Sequence, residues 1–133
     1  METDGGAGGS LRVVVLAHLS VTLLHGRAHA IAAVPLSSVS AAFIGIVIVA
    51  APLAGVAMTR YTRTAGHWML ACSMTGAFVF GLVNHFVIES PDHVAHVTTA
   101  AAPLFATTAV LLLMLEAVSC MLALRALGRR QRA

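Results

Sequence analysis

The chain has 133 residues, 59% of them apolar and only 10% charged, with a mean hydropathy of +0.91. A soluble domain carries roughly 45–50% apolar and about 25% charged residues, so this chain lacks the polar groups to cover a water-facing surface. Its formal charge of +3 comes from eight Arg and no Lys, set at the ends of apolar stretches; that is a pattern of topology signals, and it excludes a nucleic-acid-binding stripe.

Residues 1–10 are Gly-rich and polar and are expected to form a disordered cytoplasmic tail. The first span is predicted over 11–33 and carries His18, His25 and His29. Ala28-His29-Ala30 matches a signal-peptidase pattern, and cleavage there would leave three helices of opposite orientation. Glu2 and Asp4 make the preceding segment unlike a basic leader, so the span is expected to be retained.

The second span is predicted over 39–59, with Ser37, Ser38 and Ser40 as N-cap candidates behind Pro35 and a kink at Pro52. The third covers 66–88 and opens on His67-Trp68, read as an interfacial anchor. Ser90-Pro91-Asp92 is a helix-start signal that would open a short interfacial helix through His96. Pro103 is placed to start the fourth span, 104–127, and residues 129–133 form a basic cytoplasmic tail. Crossing the hydrocarbon core takes about 20 helical residues, which the last three runs supply. The fold class is therefore all-α, an integral membrane four-helix bundle.

Seven Arg (12, 60, 63, 125, 129, 130 and 132) fall on one side of this arrangement and Arg27 alone on the other. Cytoplasmic loops collect positive charge, so both termini and the 60–65 loop are expected inside, in a multi-pass cell-membrane protein. The two halves also resemble each other. Val21-Thr-Leu-Leu-His25-Gly aligns with Gly81-Leu-Val-Asn84-His85-Phe at an offset of 60, which predicts a tandem repeat of two helical hairpins.

Five histidines, His25, His29, His85, His93 and His96, are gathered by this topology at the outer end of the bundle. Pairs at i, i+3 or i, i+4 let two imidazoles reach one ion, so Zn, Cu or Fe is a candidate ligand, with Asn84, Glu89 and Asp92 as supporting partners. A b-type haem is the alternative, held by His25 or His29 opposite His85. The same histidines also suit a merely interfacial role near lipid headgroups.

Glu116 sits in the middle of the fourth span, where an acid costs at least about 2.5 kcal/mol. His18 lies at a similar depth and is its expected partner, as a structural lock or a proton relay. Cys72 and Cys120 lie in separate apolar stretches and read as buried packing thiols. Catalytic motifs are absent: there is no GxSxG, P-loop or HExxH. The expected function is metal or haem binding in electron transfer, metal handling or a respiratory accessory role. The alternatives are a homodimeric proton-coupled transporter using Glu116 and a structural subunit without ligand. In each case the partners are the lipid bilayer and either further copies of the chain or a larger membrane complex.

Overall fold

A backbone cannot leave its N–H and C=O groups unpaired in hydrocarbon, so an apolar chain of this kind satisfies them within helices. In the computed structural model, which describes residues 5–130, the chain forms α1 (Gly5–Ala32), α2 (Ser38–Met58), α3 (Arg63–Val87) and α4 (Ala102–Arg130). All four are long and apolar enough to cross a membrane. Their bounds fall within three residues of those expected except at the start of α1, which reaches back into the Gly-rich segment. Residues 1–4 and 131–133 of the expected tails lie outside the described residues.

The polarity of the molecule is inverted relative to a soluble bundle. Val39 is 81% exposed and Leu23 77%, whereas His18, His25, His85, Thr108, Glu116 and Ser119 are buried. In a bilayer, lipid tails would accept such an outer face and leave the interior free to hold polar side chains that pair with one another. Helix α4 packs along both α1 and α3, and α2 lies on α3; α1 and α2 touch only lightly. One packed core, Leu11, Val15, Leu70, Ala71, Met74 and Ala123, closes the end that holds both termini. A smaller one, Ala28, Val97 and Phe105, closes the other end.

Local chemistry explains how the helices are punctuated. Ser37 caps α2, its Oγ accepting from Ser40 N–H at 3.0 Å. Helix α1 ends with Ala33 in the left-handed region (φ 53°) and Val34 N–H bonded back to His29 O at 3.2 Å. Pro52 lacks an N–H and crowds the carbonyl four residues back. The turn before it, Ile44–Ala50, is widened to a π-helix, with Ala51 N–H donating to Ile46 O. The disturbance expected at Pro52 takes this form. Gly55 and Gly66 let α2 and α3 meet backbone to backbone: a Cβ on Gly66 would lie 2.6 Å from Thr59 N and 2.8 Å from Gly55 O.

Three expectations are corrected. Segment 89–101 forms successive turns (His93 N–H to Ser90 O, His96 N–H to His93 O) and not an interfacial helix, because Val94 N–H is drawn onto His85 O at the end of α3. His67 is buried where α3 begins, and only its neighbour Trp68 faces outward. Cys72 is exposed on the surface of the bundle, so it is not a core thiol.

Candidate metal centre

Three histidines from two helices converge at the end of the bundle away from Leu11 and Ala123. His25 and His29 stand one turn apart on α1, and His85 sits in the last turn of α3. That turn, Val83–Val87, is a second π-helical stretch, a feature that re-aims side chains and recurs at functional sites. One ring nitrogen from each of His25, His29 and His85 lies within 4.8 Å of the others. Phe105, fully buried on α4, stands against all three rings at centroid distances of 4.8, 4.8 and 5.4 Å. It forms the wall against which they pack, tilted or edge-on.

The hydrogen bonds fix the tautomers. His25 Nδ1 is 2.8 Å from Thr108 Oγ1, whose hydroxyl proton is already committed to the carbonyls of Leu104 (2.7 Å) or Phe105 (3.1 Å). With its proton on a carbonyl the hydroxyl accepts, and His25 Nδ1 then carries the hydrogen. His85 Nδ1 is 3.0 Å from the backbone carbonyl of Asp92, which can only accept, so it too carries a hydrogen. With both rings neutral, both Nε2 atoms carry lone pairs; they face each other at 3.1 Å, which becomes an N–H···N hydrogen bond once either ring takes a second proton. Two lone pairs at that separation repel unless a cation lies between them.

Asp92 supplies the nearest negative charge. Its Oδ1 lies 3.2 Å from His29 Nε2 and 3.3 Å from His85 Nδ1, electrostatic contacts that span two helices. His29 Nδ1 is buried and has no partner. Comparison with known families, curated proteins and solved structures finds no match to this chain.

Of the five histidines expected to ligate, His25, His29 and His85 are brought together; His93 and His96 stand apart from them. Their rings pair with each other at 5.2 Å, and the loop uses their nitrogens: His96 Nδ1 bonds Ser90 O at 2.7 Å, and His93 Nδ1 accepts from Ala95 N–H at 3.2 Å. Among the expected supporting residues Asp92 reaches the cluster. Glu89 is exposed, and Asn84 turns back to Phe80 O on its own helix at 2.8 Å. Thr108 and Phe105 were not expected from the sequence. Their only signal is the i, i+3 spacing that puts both on one face of α4.

Beneath the trio lies a cavity of about 180 Å³ bounded by all four helices. His25, His29, His85 and Asp92 line one end, Glu116 the other, and Ile44, Ile48, Phe80, Leu112 and Leu113 the walls between. The expected His18–Glu116 pair is present, with Nε2 to Oε1 at 3.1 Å and both residues buried.

Proposed function

We propose that the protein is a metal-handling protein of the cell membrane, holding one transition-metal ion through His25, His29 and His85 at the outer end of its bundle. The observation that carries this reading is the pair of facing Nε2 lone pairs, 3.1 Å apart, on rings whose Nδ1 atoms are both committed as donors. Two imidazoles on a tetrahedral ion with metal–nitrogen bonds of about 2.0–2.1 Å have their nitrogens a little over about 3 Å apart. The third imidazole, together with an anionic Asp92 behind two of the rings, completes the pattern of ligand and orienting partner that metal sites use. An all-nitrogen donor set selects Zn, Cu or Fe over Mg or Ca.

Haem fits less well. Bis-imidazole haem holds its two nitrogens on opposite faces of the macrocycle. Rings packed edge to face, with Phe105 against each of them, leave no slot for one. The offset of 60 that pairs His25 with His85 agrees with a duplicated hairpin, and the Arg distribution with cytoplasmic termini.

The test is metal analysis by mass spectrometry of the full chain purified in mild detergent and equilibrated with Zn²⁺, then gel-filtered. Wild type retains zinc, and His85→Ala loses the ion held by the trio while keeping its elution volume. Retention unchanged in His85→Ala would refute the site, leaving a proton shared between the two rings as the cation. A Soret band in the purified protein would replace the ion with haem.

A further inference from the structure

We infer that His18 and Glu116 form a second, inner position for the same class of ion, reached from the outer trio through the central cavity. This deepens the metal-binding reading and rests on it. The His18 Nε2 to Glu116 Oε1 separation of 3.1 Å suits a hydrogen bond, but it is also the spacing of two donors on one small divalent ion.

The remaining atoms of the pair are what a simple lock leaves unexplained. His18 is 0% exposed and Glu116 2%, yet His18 Nδ1 and Glu116 Oε2 are buried with no hydrogen-bond partner. Ser119, one turn along α4 on the same face, is 0% exposed, and its Oγ also lacks a partner. Buried polar atoms are nearly always satisfied. Three unsatisfied ones within one helical turn mark a place where something polar binds.

Glu116 borders two spaces, one of them a more open pocket shared with Thr75, Cys120, Leu124 and Arg125. Glu116 lines the same cavity as the trio, and His18 lies seven residues below His25 on α1, about 10 Å along the axis. The cavity is large enough for several waters, so an ion can travel part-hydrated between the two ends. Beyond His18 the path stops at the packed core of Leu11, Val15, Leu70 and Met74. An ion entering at the trio thus reaches Glu116 through this cavity. The mixed imidazole–carboxylate donor set again suits a borderline divalent ion such as Zn²⁺.

The experiment is Zn²⁺ stoichiometry on the full-length protein by mass spectrometry, with X-ray absorption to read the donor atoms. Wild type binds two ions, with a mixed nitrogen–oxygen shell, and Glu116→Gln binds one with an all-imidazole protein donor set. One ion in both proteins overturns the inner position and leaves the outer site standing. No ion in wild type overturns both readings. Should Glu116→Gln lose both ions, Glu116→Asp decides: recovery of two supports the inner position, and failure to recover them overturns it.

Discussion

Replacing Asp92 with Asn keeps the shape of the side chain and removes its charge. In the structure that charge sits 3.2 Å from His29 Nε2 and 3.3 Å from His85 Nδ1, so it both orients two rings and offsets the charge of a bound ion. Losing such a partner typically weakens a metal site 10–100-fold. Here His85 keeps its bond to the Asp92 backbone carbonyl at 3.0 Å, which the substitution does not touch. The effect should therefore fall at the lower end, about tenfold, or about 1.4 kcal/mol. Competition between the protein and a chromophoric chelator for Zn²⁺ measures it directly. Unchanged affinity would refute the role given to Asp92. Complete loss would mean that Asp92 ligates the ion itself.

Thr108→Val, nearly isosteric, removes the acceptor that fixes the His25 tautomer. Zn²⁺ affinity should fall about tenfold, and the stranded Nδ1–H should cost about 1–3 kcal/mol of stability, read from thermal unfolding in detergent. Gly66→Ala places a methyl 2.6 Å from Thr59 N, so α2 and α3 must separate; a loss of about 1–3 kcal/mol is expected, visible as a lower Tm without a change in metal selectivity. Ala33→Gly relieves a left-handed alanine and should stabilise the end of α1 by about 1 kcal/mol. Cysteine labelling of whole cells with a membrane-impermeant reagent should reach a thiol placed at position 93 and miss one at position 63. The converse pattern would invert the topology.

The spans were legible in the sequence because lipid leaves the backbone little choice: about twenty apolar residues either form a helix or strand their amides. The His18–Glu116 pair was legible for a related reason, since two costly groups at equal depth in one small bundle have few other partners. The site was legible only in part. His25 and His29 announce themselves by their spacing and His85 by its alignment with His25, but nothing in the string sets His93 and His96 aside. Outside the spans a loop must satisfy its own amides and carbonyls, and it draws on whatever side chains are nearby; His93 and His96 are taken up in that way. Thr108 was hidden among the small residues of α4, where a threonine reads as packing until its hydroxyl is seen facing an imidazole.

The widened turn at Val83–Val87 has a consequence for how this centre can be dismantled. A π-turn carries one residue more than the α-turn it replaces. Deleting Val83 or Asn84 would let ordinary i→i−4 bonding resume, and His85 would lose the aim that the widened turn gives it. The rod would still be long enough to cross a bilayer, but the one imidazole it gives the trio would no longer face His25. Length and aim are thus separately encoded in the third helix, and a one-codon change can erase the second while sparing the first.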